Sequence, residues 1–170
     1  MRTVVGVSDL RVSDNEGETV VTFALGSCLG VVVYDPVAKV GGLLHVMLPL
    51  SKADPEKAEK KPAMYVDTGL IRLFKGIYKL GAQKKNVVIS VAGGASMKQA
   101  GGDDYFKIGK RNFTTLRKLL WKNGYMITNQ DVGGNKSRTM ALRMADGQVT
   151  INKKPIKSNS PTTMNLNTVR

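Results

Sequence analysis

Thr19-Val20-Val21-Thr22-Phe23-Ala24-Leu25-Gly26-Ser27-Cys28-Leu29-Gly30-Val31-Val32-Val33-Tyr34-Asp35 is the stretch from which the fold is read. Thr19 to Leu25 and Gly30 to Asp35 are rich in β-branched and aromatic residues and are bounded by Gly, Asp or Ser, so each predicts a strand. Between them, Gly26-Ser27-Cys28-Leu29-Gly30 replaces the β pattern with small residues that permit a sharp turn or a first helical turn. The chain is therefore expected to change direction around Cys28. Working outward, Thr3 to Val7 and Val40 to Leu48 predict further strands that pair with these two. Ser51 to Pro62 carries two prolines, mixed charge and little apolar content, which predicts a surface loop beside the strand holding His45.

Beyond that loop the hydrophobic period changes. Leu70, Leu73, Phe74 and Ile77 follow helical spacing within about Met64 to Leu80, and Gly81 stands where a C-terminal cap belongs. Asn86 to Ala92 predicts a buried strand that empties into Gly93-Gly94-Ala95-Ser96. A second helix is expected from about Gly109 to Asn123, with Phe113, Leu116, Leu119 and Leu120 on one face and Gly124 ending it. Tyr125 to Asp131 predicts another strand, and Thr139–Arg143 with Gln148–Asn152 a hairpin turning at Ala145-Asp146-Gly147. Strands before and after two helices, with no internal repeat, indicate one α+β domain in which packed sheets are covered by helices. That domain is expected over residues 1–157, with a basic, disordered tail at 158–170.

With 170 residues, 42% of them hydrophobic, the chain is long enough to bury a core without disulfides or a structural metal. One cysteine and one histidine exclude a thiolate-rich metal site by counting, and no cofactor is expected. A free thiol, no signal-peptide pattern after Met1 and no apolar run long enough to cross a bilayer predict a cytoplasmic chain without membrane insertion. The net charge of +13 points to an acidic partner surface. Scattered basic residues, one Trp, five Tyr and four Phe, and no RNP pattern or helix-turn-helix pair argue against nucleic acid as that partner.

Cys28 and His45 carry the chemical signal. A thiol at a glycine-flanked turn after a strand sits where backbone N–H groups can stabilise a thiolate and a developing oxyanion, so Gly26, Ser27 and Leu29 are the candidate oxyanion and substrate contacts. The competing reading is packing, because free cysteine is among the most buried residue types. His45 lies in the apolar run Gly41 to Pro49, where a titratable ring needs a partner to be buried. Thiol and imidazole on neighbouring strands suggest a Cys–His dyad, and Thr22, six residues before Cys28, is the candidate for orienting the ring. Threonine is also common in strands for packing alone. Gly93-Gly94-Ala95-Ser96 lacks the Gly-Lys-Ser/Thr of a nucleotide loop and is expected, like Asp131-Val132-Gly133-Gly134 with Arg138, to pack tightly against the active site. Asp103 and Asp104 are adjacent and Asp131 is isolated, so no carboxylate pair has the spacing of a glycosidase or metal site.

Thr22 to Val31, Tyr34-Asp35-Pro36 and His45-Val46-Met47-Leu48-Pro49 resemble the chemoreceptor glutamine deamidase CheD family. The resemblance continues through Tyr65-Val66-Asp67, Ala92 to Met97, Ile108-Gly109-Lys110-Arg111-Asn112 and Asp131 to Gly134 with Arg138, covering about residues 1 to 157. It implies an α/β/β/α layered sandwich with mixed β-sheets, similar to the cytotoxic-necrotizing-factor-like cysteine hydrolases. It also implies Cys28 as nucleophile, His45 as base and Thr22 as the orienting threonine. The implied substrates are glutamines of methyl-accepting chemotaxis receptors, with receptor glutamyl methyl esters as a further substrate and a CheC phosphatase as a binding partner. The enzyme is expected to act as a monomer. The alternative is a non-catalytic protein that regulates a CheC-type phosphatase or receptors by docking.

Overall fold

The computed structural model describes residues 1–96 and 107–156. Within them β1 (Arg2–Val4), β3 (Thr19–Leu25), β8 (Lys136–Arg143) and β9 (Val149–Pro155) form one sheet in the order β1-β3-β8-β9. The larger sheet runs β2-β5-β4-β6-β7, from β2 (Asp9–Ser13), β5 (Val40–Val46), β4 (Leu29–Asp35), β6 (Val88–Gly93) and β7 (Asn129–Val132). Both sheets are mixed: β1 pairs parallel with β3 and β6 with β7, and the remaining pairs are antiparallel. The expected single α+β domain with mixed sheets is the observed architecture.

Every residue of β4 and β5 is buried, which explains why both read as near-continuous apolar runs rather than as alternating strands. The alternation is nevertheless present in what each side chain meets. Leu29, Val31, Val33, Leu44 and Val46 share a core with Leu73, Ile77, Leu116 and Leu120 of α2 (Val66–Lys79) and α3 (Ile108–Lys122). Val32, Tyr34 and Leu43 face the other way, onto Val20, Leu25, Met140 and Leu142 of the smaller sheet. The described residues thus form three of the expected layers, helices, larger sheet and smaller sheet, and α2 packs chiefly on β5 and β2. A depression of about 480 Å³ lies over the smaller sheet, lined by Arg2, Thr19, Val21, Thr139, Thr150 and Asn152 among others.

Glycine ends both helices as the sequence predicts. Gly81 (φ +107°) and Gly124 (φ +81°) sit just past the caps. At the first, Ala82 N–H donates to Ile77 O and Gly81 N–H to Tyr78 O; at the second, Tyr125 N–H donates to Leu120 O and Gly124 N–H to Trp121 O. These paired bonds are the Schellman arrangement, which satisfies the last carbonyls of a helix.

Three segments differ from expectation. The loop predicted over 51–62 contains a helical turn at Ser51–Ala53 and the short helix α1 (Pro55–Lys60). Pro55 occupies the first turn, where its missing N–H costs nothing, and the Asp54 side chain accepts from Lys57 N–H as N-cap. Asp9–Ser13, whose sequence carries no strand signal beyond two apolar residues, pairs with β5 as an edge, and only Leu10 and Val12 turn inward onto the helical core. The strand expected from Tyr125 begins at Asn129, because Tyr125 instead stacks on Phe74 (4.4 Å between ring centroids) and meets the Tyr78 hydroxyl at 2.5 Å. The tail expected at 158–170, and Asp103 and Asp104, lie outside the described residues.

Gly81→Ala should be tolerated sterically, since nothing lies within 4 Å of the added Cβ, but strained by the left-handed backbone. A loss of about 1–2 kcal/mol is expected, seen as a melting temperature lower by roughly 2–8 °C. An unchanged melting temperature would contradict the capping role.

Candidate active site

The β3 to β4 connection is built around an irregularity. On β3, Thr22 pairs with Met140 and Leu25 with Arg138, so Phe23 and Ala24 oppose the single residue Thr139. This is a β-bulge, and Ala24 takes up the left-handed backbone it requires (φ +57°). Thr22 and Leu25, an odd number of positions apart, consequently both point inward and are fully buried. The turn Gly26-Ser27-Cys28 follows without forming a helix, and Cys28 lies half-buried immediately before β4.

Strand register puts His45 on β5, the strand next to the one that Cys28 precedes. Gly30 pairs with His45 across β4 and β5, and Cys28 stands two residues before Gly30, on the same face of the sheet. That face is turned toward the smaller sheet, where Cys28 packs with the inter-sheet cluster. Gly30 leaves no side chain in the way; a Cβ there would lie 2.8 Å from Met140 Sδ and 2.9 Å from Leu25 Cδ1.

Thr22 reaches His45 from the opposite sheet. Its Oγ1 lies 2.7 Å from His45 Nδ1 and donates its hydrogen to Val5 O at 2.8 Å. A carbonyl can only accept, so the one hydroxyl hydrogen is committed and Nδ1 must carry the proton that Thr22 accepts. In the neutral ring Nε2 is then the bare nitrogen. It is buried and has no hydrogen-bond partner among the described residues. Burial pulls the His45 pKa down to about 4, so the ring is neutral at pH 7. Burial also pushes the Cys28 thiol up, partly opposed by its own backbone N–H. The resting pair is therefore thiol and imidazole rather than thiolate and imidazolium.

The three candidate contacts around Cys28 fare differently. Gly26 N–H is used by Ala24 O, and Leu29 is buried and paired with both Val46 and Gly93. Ser27 is half-buried, and the N–H groups of Ser27 and Cys28 donate to no backbone carbonyl among the described residues, the Cys28 N–H acting on its own thiol instead. The glycine loops do pack against this turn: Gly94 N–H donates to Cys28 O (2.9 Å) and Ala95 N–H to Gly26 O (2.8 Å). A Cβ on Gly93 would sit 2.1 Å from Cys28 O, so the approach needs glycine. Arg138, 4% exposed, ties the loops together by donating to Gly93 O, Gly133 O and the Asp131 carboxylate.

Two participants escaped the sequence reading. Val5 contributes only a carbonyl, which leaves no trace in residue type. Asn112, fully buried on α3, donates from Nδ2 to Ser27 O and Met47 O, both at 3.0 Å. Its signal was a polar residue on the helical stripe Gly109, Asn112, Leu116, Leu120 that faces the core.

Because His45 is held neutral in the folded chain, the unfolded chain binds the extra proton below about pH 6.5, and stability drops as pH falls from there to about 4. The expected loss is about 3 kcal/mol. Glu18 acts in a lower window: burial works against its carboxylate, but hydrogen bonds from Arg11, Ser13 and Thr3 outweigh it and bring the pKa down to about 2. Urea unfolding between pH 7 and 4 should show the His45 component in the wild type and its absence in His45→Gln. Equal slopes in the two proteins would contradict the buried neutral ring.

A family model described as CheD chemotactic sensory transduction matches residues 47–153. "Probable chemoreceptor glutamine deamidase CheD 1" of Syntrophus aciditrophicus is 49% identical over 146 residues, covering 86% of this chain and 90% of that protein. "Probable chemoreceptor glutamine deamidase CheD" of Solibacter usitatus is 42% identical over 146 residues (86% and 85%), and its namesake in Pyrococcus abyssi 42% over 149 residues (88% and 90%). With a family model spanning well over half of the sequence and relatives this similar along nearly their whole length, the chain belongs to the CheD family.

Proposed function

We propose that this chain hydrolyses the side-chain amide of selected glutamines on methyl-accepting chemotaxis receptors, as a cytoplasmic monomer, with Cys28 as nucleophile, His45 as general base and Thr22 as the residue that orients the ring. The observation that carries the reading is the bare Nε2 of the only histidine, its tautomer fixed by Thr22, on the same sheet face as the only cysteine. A neutral imidazole with a free lone pair is what a general base requires at neutral pH.

His45 Nε2 takes the thiol proton as Cys28 Sγ attacks the amide carbon, so the raised thiol never has to ionise ahead of attack. The N–H groups of Ser27 and Cys28 donate as a pair to the developing oxyanion. The imidazolium returns the proton to nitrogen, the C–N bond breaks and ammonia leaves, with the acyl group held as a thioester on Cys28. Water then gives a proton to the same ring and adds to the thioester carbon; the C–S bond breaks, glutamate is released and the thiol is restored. A glutamyl methyl ester enters by the same steps and loses methanol. In this reading the chain serves chemotaxis adaptation.

The exposed residues of α3 are Lys110, Arg111, Arg117, Lys118, Trp121 and Lys122, and α3 contains no acidic residue. This supports an acidic protein surface as substrate, approached at a rate that falls as salt rises. A second reading, docking to a CheC-type phosphatase or a receptor without catalysis, is favoured by one observation, the burial that raises the thiol.

Mass spectrometry of a receptor cytoplasmic fragment incubated with the protein separates the two. Wild type should convert particular glutamines to glutamates. Cys28→Ala and His45→Ala should lose about 10³-fold or more in kcat with the fold intact. Thr22→Ala should lose about tenfold, the worth of one orienting hydrogen bond. Turnover retained by Cys28→Ala would remove the nucleophile and favour docking.

A further inference from the structure

The ladder between β4 and β5 ends at Leu29 paired with Val46. Just beyond it the two strands run on into the reactive groups' neighbours: Ser27, two residues before Leu29, precedes Cys28, and Met47, one residue after Val46, lies two residues after His45. Here the fully buried Asn112 side chain takes the place of a further rung. Its Nδ2 donates to Ser27 O and Met47 O, each at 3.0 Å. The orientation of the amide is fixed, because turning it over would bring Oδ1 against two carbonyl oxygens. Oδ1 itself is buried without a partner among the described residues.

That orphaned acceptor argues against a purely structural origin. The rest of the buried stripe of α3 is Gly109, Leu116 and Leu120; a leucine at 112 would complete that apolar face and remove the unpaired Oδ1, at the cost of the donor that Ser27 O and Met47 O now share. An amide here forfeits apolar packing and leaves one polar atom unpaired among the described residues, and in return it pins two segments that no described backbone hydrogen bond joins beyond Leu29 and Val46. We infer that Asn112 is a positioning residue that sets the distance between the Cys28 thiol and the His45 ring. It touches neither reacting group. It acts through the carbonyls of Ser27 and Met47, and through Ser27 O it also holds the Ser27–Cys28 peptide, whose N–H is the Cys28 donor proposed for the oxyanion.

The inference rests on the Cys28–His45 reading above, and the test keeps the two apart. Asn112→Leu removes both donors at similar volume, and Asn112→Ser can donate to only one of the two carbonyls. For wild type, both variants and His45→Ala, three quantities are measured: kcat and KM on a receptor fragment, iodoacetamide alkylation of Cys28 against pH, and stability to urea. Asn112→Leu, which leaves Ser27 O and Met47 O without this donor, should lose some stability to urea while staying folded, lose about 10²-fold in kcat with KM unchanged, and shift its alkylation profile toward that of His45→Ala. Asn112→Ser should fall between the two, and it carries the test if the leucine variant does not fold. Wild-type kcat and alkylation in the Asn112 variants, with His45→Ala altered, would overturn the inference and leave the dyad standing. An alkylation profile in His45→Ala identical to wild type would remove the dyad, and this inference with it.

Discussion

The hydrogen-bond chain from His45 Nδ1–H through Thr22 Oγ1 to Val5 O crosses from one sheet to the other, and the character of the site follows from it. A hydroxyl has one hydrogen. Once the Val5 carbonyl takes it, the ring has no choice of tautomer, and the nitrogen left bare is Nε2. The bulge at Phe23-Ala24 keeps Thr22 and Leu25 both turned inward before the chain reverses toward Cys28. Gly30, opposite His45, lets the two sheets close without a side chain between them. The chain's only histidine and only cysteine thus come to one face through register alone, with no loop required to fold over them.

Burial sets the protonation of the pair. It lowers the ring and raises the thiol, so both are neutral at rest, and in the proposed mechanism the proton moves only as the sulfur attacks. Such a site depends more on geometry than on stored charge, because there is no ion pair to hold the partners together. The surroundings are rigid in the ways this demands. Gly94 and Ala95 bind the turn from β6, Arg138 gathers the carbonyls of Gly93 and Gly133, and Asn112 joins the turn to the end of β5. Cys28 is partly exposed at the edge of this frame while His45 is fully buried, an order that fits the proposed approach of a glutamine side chain from outside.

Much of the frame was legible in the sequence. β3 appears with the bounds that the Thr19 to Leu25 pattern predicts, and Gly81 and Gly124 stop the two long helices by a local device visible in residue type. Misreadings arose where tertiary contact overrules local pattern. β2 has only two apolar residues and is held by its partner strand; Pro55 starts a helix instead of marking a loop; Tyr125 is drawn from the sheet by Phe74 and Tyr78. At the site, the proposed dyad could be suspected from composition because one cysteine and one histidine admit few alternatives. Thr22 was indistinguishable from its neighbours until β3 was seen to face β5. Val5 acts through its backbone, and Asn112 announced itself only as a polar residue on an apolar stripe.

Because His45 is the only histidine, its ring can be observed without ambiguity by 15N NMR of the folded wild-type protein. The tautomer fixed by Thr22 predicts a protonated Nδ1 and an unprotonated Nε2 at pH 7, with titration delayed to about pH 4. A proton found on Nε2, or a ring that titrates near the ordinary histidine value of about 6.5, would contradict the account at its root.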